Sequence, residues 1–160
     1  IGGLSVGEKH SERIDIVNHT SKFLPIEKPR YLMGVGRPID ILKSVEKGID
    51  MFDCVLPTRF GRTGRAFTMD GELNLKNSKF SGDERPLDTN LNCFVSKEFS
   101  RSYIHHLTKT NEILSSMILS LHNVAFYQKM MSDIRTSIKN KNYKKLMNSY
   151  LETHKFYEKT

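Results

Sequence analysis

The sequence has few of the residues that cross-link a chain or embed it in a membrane. It contains two cysteines and no tryptophan among 160 residues. No apolar run approaches the ~20 residues that a membrane-spanning helix needs, and no signal peptide is recognisable. So few cysteines argue against a disulfide-dependent secreted fold. Together these absences predict a cytoplasmic setting.

Acidic side chains are fewer than basic ones. There are 18 Asp and Glu against 25 Lys and Arg, which gives a formal net charge of +7. Such an excess suits a polyanionic partner, nucleic acid above all. The length alone would predict one domain with a hydrophobic core of its own.

The rest of the chain is organised around residues 48–59. Ile, Met, Phe, Val and Leu crowd this short window between Gly48 and Pro57, which predicts a buried strand. Asp53 is the anomaly within it, because a carboxylate in an apolar run loses hydration and needs partners. Asp53 is therefore either a structural group whose hydrogen bonds are satisfied or a reactive group.

The preceding residues predict a βαβ unit that ends beside Asp53. A strand is expected over residues 28–36 and a helix with a first-position proline over 38–47. Strand, helix and strand at this spacing make the two strands parallel, so their C-terminal ends share one rim. That rim carries residues 33–36 beside Asp53, on the side where α/β folds place their chemistry.

The remaining pattern predicts mostly helices. In chain order we expect a helix within 9–27, a glycine-broken arginine loop over 58–65, a hairpin within 67–85, helices over 100–121 and 123–138, and a final helix or tail over 148–160. Two stripes are predicted to face the core: Ile113, Leu114, Met117, Ile118 and Leu121, then Ala125, Met130, Met131, Ile134 and Ile138.

Four unusual strings carry a resemblance to a known family. They are Ile1-Gly-Gly-Leu-Ser-Val-Gly-Glu8 and residues 28–42, 48–59 and 61–62. In this order they resemble the tRNA-guanine transglycosylases, the queuosine-inserting enzymes, and the similarity continues to about residue 145. It corresponds to about the second half of that family's chain, so we interpret the sequence as the product of a truncated gene or as a fragment. Val6 makes it similar to bacterial members and favours the smaller aminomethyl-deazaguanine precursor over queuine.

The resemblance implies an α/β fold, namely the C-terminal portion of a (β/α)8 TIM-like barrel with a degenerate zinc-type insertion and C-terminal helices. We accordingly expect the last βα units with the nucleophile strand over 1–66, the insertion over 67–102, closing helices over 103–145 and a terminal helix or tail over 146–160. An open part of a barrel leaves sheet edges uncovered, which argues against autonomous folding.

By resemblance the reaction is exchange of guanine at the anticodon wobble position of tRNA for a 7-deazaguanine. Asp53 is then the nucleophile that attacks the ribose anomeric carbon and forms a covalent aspartyl–RNA intermediate, as carboxylates do in retaining glycosidases. Implied base contacts are Gly3, Leu4, Val6, Glu8 and Met33. Implied RNA contacts are Gly34, Val35, Gly36, Arg37, Pro38, Ile39, Asp40, Thr58, Arg59, Phe60, Gly61 and Arg62. Arginines suit single-stranded RNA because they bind phosphate and stack on bases, although a solvated basic loop is the alternative.

The family also implies a zinc ion in the insertion. The four aligned ligand positions read Leu91, Cys93, Ser96 and His122, of which only Cys93 and His122 keep a ligand side chain. A structural site needs four ligands and draws much of its affinity from thiolates. We therefore do not expect this chain to hold zinc as its relatives do.

The family's other acidic groups lie in the half that this chain lacks, so we expect the isolated chain to be inactive. Two alternatives stay open. The chain is a non-catalytic RNA-binding or subunit half that pairs as a homodimer or with a complementing N-terminal half, or it is the product of a decaying gene.

Overall fold

The structure, a computed structural model, describes residues 1–153 as a mixed α/β protein, which confirms the expected α/β class. Its elements are α1 (His10–Ser21), β1 (Tyr31–Leu32), α2 (Pro38–Glu46), β2 (Met51–Phe52), α3 (Leu56–Arg62), β3 (Arg65–Thr68), β4 (Gly71–Asn74), a 3₁₀ turn (Ser78–Phe80), α4 (Phe94–Glu98), α5 (Arg101–Lys109), α6 (Ile113–Lys139) and α7 (Tyr143–Thr153). They form two compact units, Ile1–Leu56 and Pro57–Thr160.

The first unit is built on the predicted βαβ arrangement. β1 and β2 pair in parallel, with Tyr31 opposite Met51, and α2 connects them. Pro38 opens α2, where a missing N–H costs nothing, and Gly48 follows its end at φ +87. The core of this unit consists of Val17, Leu32, Val35 and Ile49, with Ile1, Leu4 and Phe52 packed against it.

The predicted buried strand over 48–59 is wrong beyond Phe52. β2 is two residues long, Met51 and Val55 are exposed, and Asp53 is exposed as well. The chain leaves the strand after Phe52 because Pro57 lies in the first turn of α3, where its fixed φ suits a helix and not a paired strand.

The second unit packs the β3–β4 hairpin against α6. Phe67 on β3 is fully buried and stacks on Phe60 and Phe126, with ring centroids 5.0 and 5.8 Å away. Asn123 on α6 donates to the carbonyls of Pro57 and Arg65 and accepts from the Phe67 N–H, all within 3.0 Å. The main core of this unit consists of Ala66, Leu75, Phe80, Leu87, Val95, Ile104, Leu107, Ile118 and Leu119.

The predicted break between the two long helices is misplaced. α5 ends at Lys109, and α6 runs without interruption through His122. The break falls at Asn111, which adopts φ +58, a left-handed conformation that asparagine tolerates. The following N–H, of Glu112, donates to the Leu107 carbonyl at 2.9 Å and satisfies the end of α5.

The predicted core stripes are only partly correct. Ile113, Met117 and Leu121 are exposed, whereas Ile118, Met130 and Ile134 are buried. The buried face of α6 also contains polar side chains that the apolar pattern could not reveal, His122 and Asn123 among them.

Two further predictions concern the hairpin and the end of the chain. The hairpin closes at Asp70–Gly71 as expected, but the second turn signal, at Gly82–Asp83, is followed by irregular chain and not by a strand. α7 reaches Thr153, and residues 154–160 of the predicted terminal helix or tail lie outside the described residues. No helix within residues 1–153 is both long and apolar enough to span a membrane.

Candidate functional site

Asp53 follows β2 directly and is held by groups from the neighbouring chain. Its Oδ1 accepts hydrogen bonds from the Tyr31 hydroxyl at 2.6 Å and from the Gly34 N–H at 2.9 Å. Parallel pairing of β1 with β2 brings these three residues to one end of the strand pair. Neither bond engages Oδ2, which is therefore the oxygen available for chemistry.

Both hydrogen bonds favour the charged carboxylate. The Tyr31 hydroxyl, and after it the Gly34 N–H, hold the pKa of Asp53 below its ordinary value. The same contact raises the pKa of Tyr31, whose hydroxyl therefore stays protonated as the donor. Burial raises the pKa of the adjacent Cys54 thiol, which disfavours the thiolate. Asp53 is thus the ionised group of this rim, and Cys54 is a neutral thiol.

Two glycines shape the backbone around the carboxylate. Gly34 adopts φ +71, which glycine reaches without steric cost. At Gly36 a Cβ would lie 2.0 Å from the Cys54 Sγ, so the two chain segments approach closely only because no side chain is present.

The glycine-rich loop at the start of the chain is held by Glu8. Its Oε1 accepts from the Ser5 N–H and from Arg13 Nε, both at 2.6 Å, and its Oε2 accepts from the Val6 N–H at 2.9 Å. Arg13, and after it Ser5, lower the pKa of Glu8 to about 2. The Met33 N–H donates to the Ile1 carbonyl at 2.9 Å, so this loop also pairs with the chain after β1.

Arg13 connects that loop to a buried carboxylate on α2. Arg13 Nη1 donates to Asp40 Oδ2 at 2.7 Å, and Asp40 is almost fully buried. Lys43 Nζ lies 3.1 Å from His10 Nε2, and the other ring nitrogen, Nδ1, lies 2.5 Å from Asp40 Oδ1.

The predicted base-binding and RNA-binding residues of the first unit differ in exposure. Gly3, Val6, Met33 and Gly34 are exposed, and Leu4 packs against the core. Four of the predicted RNA contacts have buried side chains: Val35, Pro38, Ile39 and Asp40. Gly36 is also buried and Arg37 is partly exposed. Their roles stay predictions, and any contact from the buried positions would have to come through backbone atoms.

The arginines predicted to lie in a glycine-broken loop lie on regular elements, so that prediction is wrong in structure: Arg59 and Arg62 are on helix α3, and Arg65 begins β3. Arg59 and Arg62 are exposed and three residues apart, which places them on one side of the helix. Phe60 and Gly61 between them are buried. A Cβ on Gly61 would lie 2.6 Å from the Ser120 backbone nitrogen, so the missing side chain lets α3 approach α6 closely.

Two grooves of the second unit share a cationic lining. One of about 350 Å³ is lined by Arg59, Phe60, Thr63, Arg65, Asn74 and Lys76. The other, of about 190 Å³, is lined by Arg62, Gly64, Lys76, Thr108, Asn111, Glu112, Ser115 and Ser116. Lys76 therefore borders both. Arg65 is partly engaged, since it lies over the Phe60 ring at 5.2 Å and 3.4 Å from Glu72.

The four positions aligned with zinc ligands do not form a metal site. Leu91 is buried, and Cys93 packs against the main core of the unit. Ser96 Oγ and His122 Nδ1 are 2.7 Å apart and bond to each other. Nowhere in the described part of the chain are three His, Cys, Asp or Glu side chains grouped to hold a metal ion. The residues present therefore do not fit the ion.

Tyr31 and Lys76 are functional candidates that the sequence did not single out. Tyr31 could have been found only from strand register, because it contacts Asp53 across the parallel pair and not along the chain. Lys76 lies two residues past β4, and only the hairpin brings it to the grooves that Arg59 and Arg62 line.

Together these features define an α/β protein that presents an ionised carboxylate at the C-terminal end of a parallel strand pair. The model of the queuine tRNA-ribosyltransferase family matches residues 1–156. The chain belongs to that family.

Individual relatives carry the same name. The queuine tRNA-ribosyltransferase of Agrobacterium fabrum is 56% identical over 138 residues, 86% of this chain and 37% of that protein. The one of Zymomonas mobilis is 54% identical over 86% of this chain and 36% of its own length. The one of Francisella tularensis is 46% identical over 97% of this chain and 42% of its own length. The chain thus spans about two fifths of the curated relatives it matches.

Proposed function

We propose that the chain carries the nucleophile-bearing part of a tRNA-guanine transglycosylase. The observation that carries this proposal is Asp53, an exposed, ionised carboxylate whose Oδ1 is fixed by Tyr31 and Gly34 while Oδ2 faces no such donor. A carboxylate held in this way can attack an electrophilic carbon without first losing a proton.

The reaction proceeds in two displacements at the wobble ribose. Asp53 Oδ2 forms a bond to the anomeric carbon as the bond from that carbon to guanine N9 breaks, and the guanine takes up a proton. The incoming 7-deazaguanine then attacks the same carbon, loses its own proton and releases the carboxylate. The two hydrogen bonds to Oδ1 stabilise the aspartate when it leaves, since they favour its charged form.

The glycine-rich loop is the proposed base-binding element. Gly3, Leu4, Val6 and Met33 would contact the exchanged base, and Glu8 would act mainly by holding the loop, because both its oxygens accept bonds from Ser5, Val6 or Arg13. Val6 is exposed on this loop, where a branched side chain disfavours a bulky queuine substituent.

The grooves of the second unit are the proposed contact with the tRNA anticodon loop. Arg59, Arg62 and Lys76 line them with positive charge, and guanidinium groups bind phosphate with paired N–H donors. This basic surface also supports the alternative that the chain is an RNA-binding subunit half. The two proposals differ in whether Asp53 reacts.

The proposed context is the final part of a (β/α)8 barrel with its insertion, completed by an N-terminal half; a homodimer is the other proposed partnership. The shortness of β1 and β2, with two residues each, is consistent with a sheet that lacks neighbouring strands. A tRNA substrate supports a cytoplasmic location as part of this proposal.

The decisive experiment traps the covalent intermediate. The chain is fused to the part of the Agrobacterium fabrum relative that precedes the matched segment, and radiolabelled tRNA is incubated with the fusion. We expect a denaturant-stable adduct that falls at least about a thousandfold in Asp53→Asn, because an amide is not a nucleophile. Asp50→Asn is the matched control, since Asp50 accepts a backbone N–H and its amide would still do so. An adduct that persists in Asp53→Asn would show that another group reacts.

The isolated chain should bind RNA without exchanging its base. Arg59→Ala, Arg62→Ala and Lys76→Ala should each weaken tRNA binding and reduce the slope of log K against log salt by about one unit. Arg85→Ala is the control, because Arg85 is exposed but paired with Asp83. Incorporation of labelled guanine by the isolated chain above a blank would contradict the proposed need for a second half.

A further inference from the structure

A buried polar cluster lies in the second unit, outside the carboxylate site. It consists of Ser96 on α4, His122 on α6 and the main-chain carbonyl of Phe67 on β3, and we call it the Ser96–His122 cluster. Ser96 Oγ is 2.7 Å from His122 Nδ1, and His122 Nε2 is 2.7 Å from the Phe67 oxygen. The side chains of Ser96 and His122 are 0% exposed.

The partners of His122 determine where its proton lies. A carbonyl oxygen can only accept, so Nε2 carries the proton and donates it to Phe67. In the neutral ring Nδ1 then has a lone pair, and the Ser96 hydroxyl donates to it.

This arrangement leaves no free nitrogen on His122 for a metal. Nε2 is protonated, and the lone pair of Nδ1 is occupied by Ser96. A metal ion would have to displace that hydroxyl and would gain few ligands in return. Leu91 has no donor atom, and only the Cys93 thiol remains within the aligned set.

The segment between Leu87 and Ser96 is closed by further hydrogen bonds that involve Asp88. Its Oδ2 accepts from the Met69 N–H and its Oδ1 from the Asn90 N–H, both at 2.8 Å. Its own N–H donates to the Ser96 carbonyl at 2.9 Å. Asp88 is nearly fully buried, so this carboxylate attaches the segment to the end of β3.

We propose that the insertion of this chain is closed without metal, by His122, which links Ser96 of α4 to the Phe67 carbonyl of β3 through its two ring nitrogens. The family resemblance implies a zinc ion at these positions in the relatives. In this chain a hydrogen-bonded bridge takes its place. Folding of the insertion is therefore independent of zinc supply.

The first test measures metal content and its effect on stability. The chain is expressed in zinc-supplemented medium and purified without chelator, then analysed for zinc and unfolded thermally with and without excess chelator. We expect less than about 0.1 zinc per chain and the same melting temperature in both conditions, because a structural zinc would contribute directly to folding. About one zinc per chain, or a melting temperature that falls with chelator, would overturn the proposal.

The second test determines directly which nitrogen of the His122 ring carries the proton. Nitrogen NMR of ¹⁵N-histidine-labelled chain should show one neutral imidazole with a protonated Nε2 and a hydrogen-bonded, unprotonated Nδ1. This signal should disappear in His122→Gln and shift at Nδ1 in Ser96→Ala. A protonated Nδ1, or an Nδ1 signal that Ser96→Ala leaves unchanged, would refute the bridge, and neither reading depends on enzymatic activity.

The third test asks whether the bridge stabilises the fold. Ser96→Ala should lower the melting temperature by about 3–8 °C, since it leaves a buried histidine nitrogen without its donor. Ser78→Ala, at an exposed serine of the same unit, should leave it unchanged. Equal melting temperatures for the two variants would contradict the proposal. The metal and NMR measurements on the unsubstituted chain decide it if Ser96→Ala does not fold.

Discussion

The carboxylate of Asp53 and the imidazole of His122 are both polar groups with two hydrogen-bond partners, yet their surroundings are opposite. Asp53 is exposed, charged and bonded through one oxygen only. His122 is fully buried, neutral and bonded through both ring nitrogens. A group with an unused atom at the surface can react, whereas a group with every atom engaged in the core contributes to folding. Burial and the number of hydrogen-bonded atoms thus distinguish the carboxylate that we propose to react from the imidazole that we propose to be structural.

This comparison predicts that substitutions of the two residues change stability by very different amounts. His122→Ala should lower the free energy of unfolding by about 3 kcal/mol, because it creates a cavity and leaves the Ser96 hydroxyl and the Phe67 carbonyl without a partner. Asp53→Asn should leave it nearly unchanged, since the site is exposed and an amide oxygen still accepts both bonds. Urea unfolding followed by circular dichroism measures both. An equal loss of unfolding free energy in the two variants would show that the two groups do not differ in their contribution to folding.

The backbone near Asp53 should tolerate substitution less well than the Asp53 side chain does. In Gly36→Ala the new Cβ would meet the Cys54 Sγ at 2.0 Å, so the two segments must move apart at a cost of about 1–3 kcal/mol. Gly82→Ala is the matched control, because nothing lies within 4 Å of its added Cβ. If both variants unfold at the same urea concentration, the close approach at Gly36 is not needed for the fold.

The sequence allowed the βαβ unit to be predicted because its signals are local. Pro38 and Gly48 mark the ends of α2, and the apolar residues on either side predict paired strands. The Asp53 hypothesis came from that topology together with family resemblance. Tyr31 could not be found in the same way, since its contact with Asp53 depends on strand register, which no local pattern encodes.

The long helices show a second limit of prediction from the sequence. Apolar spacing predicted that Ile113, Met117 and Leu121 face the core, yet the buried face of α6 passes through His122 and Asn123. Polar side chains can occupy a core when tertiary partners satisfy them, and those partners lie 26 to 66 residues away in sequence. A pattern of hydrophobicity alone therefore assigned the buried face of α6 only in part.

A smaller effect should follow from removing one partner of Asp53. Tyr31→Phe eliminates the largest cause of the lowered Asp53 pKa and leaves the smaller contributions of the Gly34 N–H and of the Asp53 backbone. The pKa of Asp53 should therefore rise towards its ordinary value, which carbon NMR of the carboxyl groups can follow, with Asp53→Asn to assign the signal. Tyr103→Phe serves as control, because Tyr103 belongs to the second unit and stacks on Phe99. An unchanged Asp53 titration in Tyr31→Phe would mean that the hydroxyl does not hold the carboxylate in solution.

The smallest expected effect concerns the loop that Glu8 holds. The pKa of Glu8 in the folded chain is about 2, below the ordinary 4.5, chiefly because of Arg13. Its hydrogen bonds to Ser5 and Val6 thus stabilise the loop fully above pH 4.5 and are lost as the pH falls towards 2. Arg13→Met should move this loss to higher pH, which the amide proton shifts of Ser5 and Val6 can report between about pH 6 and 2. Lys22→Met, which removes a positive charge at the other end of α1, should leave the midpoint unchanged. Identical midpoints in Arg13→Met and the unsubstituted chain would show that the Ser5 and Val6 N–H groups hold Glu8 without help from the guanidinium.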